Sequence, residues 1–205
     1  MAIKKLLPPH PRRDRLLFAL LRRLPAFPRR SVPAAGTGAV PAGFPVTDQR
    51  RLGGLRLGKG DAARAGCGAA ALYNAQLLLD LPASLPAVCR SLEQSGALMA
   101  GGCLGTDPFR LERALPACGL RGRCLPSAFR LESECPPGAM VLAACWNRAC
   151  RPLAGVHLFL AVRQPDGGWQ SWNRWYAPGP VPAADTADLL AGGRFITGWL
   201  LTPDL

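Results

Sequence analysis

Residues 67–79 read CGAAALYNAQLLL, and the reading of this stretch decides the architecture. It is almost wholly apolar, with small residues at its start. A helix that is apolar all round is a buried one, so a central helix is expected here, with the remainder of the chain packed about it. Working outward, Leu85 to Ser95 is a second helix candidate, and Gly101, Gly102 and Gly105 mark a loop. Thr106-Asp107-Pro108 is a helix start signal, a capping residue followed by proline at the first helical position. It predicts a helix to about Ala117, stopped by Gly119. The remainder looks β-rich. Strands are expected over Ala139 to Trp146, Val156 to Arg163 and Trp169 to Trp175, with Pro165-Asp166-Gly167-Gly168 as a hairpin turn between the last two. A short helix over Asp185 to Ala191 and a closing strand over Phe195 to Leu201 complete the pattern. Helices first and an antiparallel sheet after them is the α+β arrangement.

The chain has 205 residues, 49% of them hydrophobic, which suits one domain with a real core plus some extra sequence. The charge is uneven. Residues 1–51 hold eleven Lys/Arg against two Asp, a net +9, whereas residues 52–205 are nearly balanced at +3. Residues 1–46 therefore read as a basic, Pro-rich, flexible arm and linker, and residues 47–205 as the globular domain. Asp14 to Leu24 fits a short amphipathic helix with Asp14 as N-cap, and Val32 to Pro45 a flexible linker. Such an arm suits weak contact with an anionic membrane or nucleic acid; the plainer reading is a solvated arm with no specific partner.

No window approaches the ~20 apolar residues of a membrane-spanning helix. The apolar run Leu16 to Leu21 is shorter than a signal-peptide core of about 7–15 residues. A cytoplasmic location, peripheral to the membrane if the arm docks there, is the expectation. The eight cysteines, at 67, 89, 103, 118, 124, 135, 145 and 150, show no C-x-x-C pair, and the domain offers one histidine. No metal or other cofactor is expected. Without export the cysteines should be mostly reduced, buried small hydrophobes. Oligomeric state leaves no mark in the sequence.

Gly66-Cys67-Gly68 sits where a loop enters the central helix. A cysteine at a helix N-terminus faces unpaired backbone N–H groups and the positive end of the macrodipole, both of which favour thiolate. Small neighbours leave room for a substrate carbonyl and free an amide for an oxyanion. His157 stands in an apolar strand, VHLFLAV. A lone histidine there is more often a satisfied core residue than a base, but Asn173 in the next strand, within WQSWNRW, shifts the balance. A turn centred near Pro165 places His157 directly opposite Asn173, with Cβ atoms ~5 Å apart on one face, so that the carboxamide orients the imidazole. A turn centred one residue later is expected to put them on opposite faces.

The order of cysteine at a helix start, histidine on a strand and asparagine on the next strand resembles that of papain-like cysteine peptidases. The stretches AGCGAAALYNA, GVHLFLAV and SWNRW carry the likeness, over roughly residues 50–175. GGCLGTDPFRLERAL resembles the bacterial branch that trims leader peptides from bacteriocin precursors. That branch usually has Asp where Asn173 stands, so this position leans toward papain, in which a Trp near the Asn shields its bond to the histidine; Trp175 would be its counterpart. The resemblance implies a papain-like fold, N-terminal helices packed on an antiparallel sheet. It also implies a Cys67–His157–Asn173 triad with a thiolate–imidazolium pair, a peptide or other amide substrate, and an acyl-enzyme thioester. The family places Gln six residues before the nucleophile as an oxyanion donor. Here that oxyanion-hole position is Asp61, and an ionised carboxylate cannot donate, a serious loss where one donor is worth ~3 kcal/mol. Help from Lys59 or Arg64, reliance on the Cys67 amide, or a degenerate site are the alternatives. The function expected from this resemblance is that of a cysteine peptidase or amide hydrolase. An acyl transferase or deamidase on the same fold, a catalytically degenerate binding module, and a nucleic-acid binder using the arm are the other readings.

Overall fold

A computed structural model describes residues 11–26, 40, 42–148, 155–174 and 177–204. The linker proline at 45 is thus in view, but most of the linker, and Trp175 with its expected shielding role, lie outside the described residues.

Helix α3, Cys67–Leu78, runs through the middle of the molecule with residues 67–76 all buried. Its two polar side chains meet partners. Asn74 exchanges two hydrogen bonds with the backbone of Val46, at 2.7 and 2.8 Å, and Gln76 donates to the Cys118 carbonyl at 3.0 Å. Buried amides satisfied in this way are tolerated in a core. The chain reaches α3 through α1, Pro11–Arg23, a two-stranded hairpin of β1, Arg56–Leu57, and β2, Gly60–Asp61, and the single turn α2, Ala62–Ala65. Helix α4, Leu85–Gln94, follows, capped by Ser84.

A six-stranded sheet then forms from β3, Leu120–Leu125, β4, Met140–Trp146, β5, Val156–Arg163, β6, Trp169–Trp172, β7, Val181–Ala183, and β8, Arg194–Pro203. Its spatial order is β3-β8-β4-β5-β6-β7, every described pairing antiparallel. Leu142, Leu158, Leu160 and Trp199 face α3 and α4, while Val141, Ala143, Phe159 and Trp169 face α5, Ala128–Glu134, and α6, Thr186–Leu190. The fold is α+β, with helices on both faces of an antiparallel sheet. Among the described residues no helix is long and apolar enough to cross a membrane.

Three local expectations need correction. The helix foreseen over residues 108–117 is two 3-10 turns, Leu111–Arg113 and Pro116–Cys118. Pro116 lacks an N–H and would crowd the carbonyl four residues back, so the segment keeps to i→i+3 bonds such as Leu115 N to Glu112 O. Asp14 is not an N-cap. The helix starts three residues earlier, at a proline suited to that position, and Asp14 instead receives two hydrogen bonds from Arg194 at 2.8 and 3.0 Å. Residues 11–23, within the expected flexible arm, are packed on the domain. Phe18 is fully buried, 5.5 Å from the Phe109 ring and 5.6 Å from that of Trp146.

Candidate active site

Cys67 is the first residue of α3, as its sequence position suggests. The glycines beside it serve the protein's own packing. A Cβ on Gly68 would lie 2.5 Å from Thr106 Oγ1, and one on Gly66 would lie 2.4 Å from the Ala62 carbonyl oxygen. The space expected for a substrate is thus filled at both positions. The backbone amides of Leu158, Gly68 and Cys67 itself lie near the Cys67 sulfur and favour its thiolate form. Leu158 N–H is available because β6 stops at Trp172, paired with Leu160, so the edge of β5 beyond it lacks a ladder partner. The helix start and the strand carrying His157 meet at that edge, but His157 alternates with Leu158 and shares the face of Phe159. Among the described residues no hydrogen bond or electrostatic contact joins its ring to Cys67.

His157 lies directly opposite Cys145 in the β4–β5 ladder. Its ring is stacked 6.2 Å from that of Phe159. Its Nε2 donates to the main-chain carbonyl of Asn173. This corrects the expected carboxamide contact. The hairpin turn is centred on Asp166, whose carboxylate accepts from Gly168 N at 2.8 Å, so Leu160 pairs with Trp172. Shifting the centre by one residue moves the partner by two and therefore keeps the face. Asn173 comes level with Phe159, diagonal to His157 and on the same face, and the feared inversion does not arise.

At that point the strand breaks. Asn173 has φ +59°, in the left-handed region where asparagine is among the residues best tolerated. Its side chain turns to Gln49: Asn173 Oδ1 accepts from Gln49 N at 2.8 Å, and Asn173 Nδ2 donates to Gln49 Oε1 at 3.2 Å. Gln49 Nε2 in turn reaches the Arg64 carbonyl at 3.4 Å, just ahead of Cys67. Gln49 therefore links both ends of the site, a role missed in the sequence. It stands eighteen residues before Cys67, with the β1–β2 hairpin between them, and no spacing rule points to it.

Asp61 caps α2, its Oδ1 accepting from Ala63 N at 2.8 Å and its Oδ2 from Gly54 N at 3.4 Å. Its carboxylate has a local structural use and offers no donor. Lys59 lines a separate cleft with Arg22 and Arg110.

The electrostatics run against a resting ion pair. Burial pushes the Cys67 thiol up, outweighing the three amides that favour thiolate. Burial, assisted by the Arg174 charge, lowers His157 from 6.5 to about 4, against the contrary pull of the Asn173 carbonyl. Burial likewise pushes Cys145 up to about 11. The expected thiolate–imidazolium pair is therefore not the favoured state of this closed site; thiol and neutral imidazole are. Since the carbonyl of Asn173 can only accept, Nε2 carries the proton of the neutral ring and Nδ1 is left as the basic nitrogen. Arg174 is held by the carbonyls of Leu189 and Leu190, at 3.2 and 2.7 Å, with its guanidinium 4.9 Å from the centre of the Phe159 ring. Among the described residues no disulfide forms, and no three His, Cys, Asp or Glu side chains gather as a metal site.

Compared with models of known protein families and with curated proteins, the sequence matches none.

Proposed function

We propose that the chain is a cysteine peptidase or amide hydrolase of papain-like fold, with Cys67 as nucleophile and His157 as base. One observation supports the reading: a cysteine opens a buried helix with the amide of Leu158 beside its sulfur, at the end of the strand where His157 keeps Nε2 on a carbonyl and Nδ1 as the basic nitrogen. The proposed reaction requires the His157 ring to turn toward the sulfur at the unpaired end of β5, where its Nδ1 takes the thiol proton as the sulfur attacks the amide carbon. The helix-start amides of Cys67 and Gly68 face the oxyanion. His157 then returns the proton to the leaving amine, and water resolves the thioester with His157 again as base. Asn173 acts through its backbone, holding the ring in the Nε2–H tautomer. A neutral resting pair suits this sequence of steps, because the proton moves only as the carbonyl is attacked.

The test is turnover of a peptide library followed by mass spectrometry in wild type, Cys67→Ala and His157→Ala. Wild type should cleave and form an acyl adduct on Cys67, with losses of about a thousandfold or more in either variant. Turnover that survives Cys67→Ala sinks the reading. A second reading, a catalytically degenerate binding module, is favoured by Asp61 at the expected donor position and by burial that opposes both charged forms. It predicts peptides retained by the protein but never cleaved. Acyl transfer or deamidation on the same residues would appear as products containing an added amine, or as a side-chain amide converted to acid.

A further inference from the structure

Helix α1 has two apolar faces, and only one is used. Phe18 and Leu21 pack into the core. On the opposite side Leu16 is 64%, Leu20 54%, Leu24 44% and Leu17 37% exposed. Leu16, Leu20 and Leu24 recur every fourth residue and so form one ridge, with Leu17 beside it. These are four of the seven large apolar residues exposed among the described residues. Single exposed leucines are ordinary, but a concentrated ridge on a helix already docked by its other face marks an interaction surface.

The charge around the ridge names the partner. Arg12, Arg13 and Arg23 occupy the same side of the helix. Arg23 also opens onto a cleft of about 540 Å³, where Arg22, Lys59 and Arg110 face a single acid, Glu93. Arg22 is paired with Asp107, whereas Arg23, Lys59 and Arg110 form no ion pair among the described residues. A leucine ridge rimmed by arginines is suited to a lipid interface, where the apolar side chains enter the acyl boundary and the arginine stems keep their charges among headgroups. A nucleic acid would use the charges and leave the ridge idle.

We propose that α1 docks the protein on an anionic lipid bilayer, with Leu16, Leu20 and Leu24 inserted and Arg23, Lys59 and Arg110 holding lipid phosphates at the cleft. This does not depend on the hydrolase reading. The experiment is flotation of the full chain with vesicles of phosphatidylcholine alone or containing about one third phosphatidylglycerol, at low and physiological salt. Binding is expected to the anionic vesicles only, weakening as salt rises. Each arginine near the surface contributes ~5-fold, so Arg23→Gln with Arg110→Gln should weaken binding about 25-fold. Leu16→Ser with Leu20→Ser should weaken it at least ~10-fold, while leaving any binding of a single-stranded oligonucleotide unchanged. The leucine pair is exposed, so its thermal midpoint should match wild type. No binding to anionic vesicles at low salt, equal binding to neutral ones, or indifference to the leucine pair overturns the proposal. Indifference together with tight oligonucleotide binding assigns the face to nucleic acid instead.

Discussion

The start of α3 and the end of β6 carry the two halves of the proposed site, and they are held in place by different means. At Cys67 the geometry is local: a buried helix begins, small residues precede it, and Gly68 lets Thr106 approach. At Asn173 the geometry is remote. A left-handed residue ends the strand, and its side chain is secured by Gln49, 124 positions away. The first side is robust to distant change and sensitive to its own neighbours; the second is the reverse. His157 contacts the second side through its ring, while its neighbour in the strand, Leu158, brings its amide to the first.

The largest effect should come from that histidine. His157 titrates near 4 in the folded protein against 6.5 ordinarily. Below pH 6.5 the unfolded chain binds a proton that the folded one refuses, so stability is full above 6.5 and is lost as pH falls to about 4. The loss amounts to about 3 kcal/mol. Denaturant unfolding at a series of pH values should show this slope in wild type and lose it in His157→Gln; an unchanged slope would remove the buried neutral imidazole from the account. The next effect probes the helix side. Gly68→Ala should destabilise by about 2 kcal/mol, because its methyl group meets the side chain of Thr106 rather than open space. A stabilised variant, as helix propensity alone would give, would mean that the loop yields easily.

The smallest effect probes the strand side. Gln49→Ala leaves Asn173 Nδ2 buried without its acceptor, costing about 1–2 kcal/mol. Asn173→Gly removes the same bond but accepts the left-handed backbone and keeps the carbonyl for His157. If the carbonyl is what orients the ring, Asn173→Gly should retain turnover within about tenfold of wild type, far above His157→Ala. A collapse of activity to the His157→Ala level would return the orienting role to the carboxamide.

Much of this was legible before any coordinates. The all-apolar run at 67–79 had to be a buried helix, since no exposed face could be drawn on it, and it spans Cys67–Leu78. Strand β5 spans Val156–Arg163 as its apolar run suggested, and the short helix expected over Asp185 to Ala191 is α6, with Asp185 as its cap. Strand β3, LRGRCL, passed unnoticed because its arginines and central glycine mask the pattern, and it is its pairing with β8 that orders it. The arm was read from its charge, which says nothing of Phe18 finding a place between Phe109 and Trp146.

By itself, then, the sequence determined the central helix and the cysteine that opens it, the helix α4, and the strands β4, β5 and β8. These follow from periodicity, capping and turn chemistry within a few residues. Only the tertiary structure decided that β8 enters between β3 and β4, that Asp61 is a helix cap, and that Asn173 offers its backbone to His157 while its side chain serves Gln49. Each of those depends on atoms brought together from distant parts of the chain, and one residue of difference in a hairpin's centre changes which side chain stands opposite which.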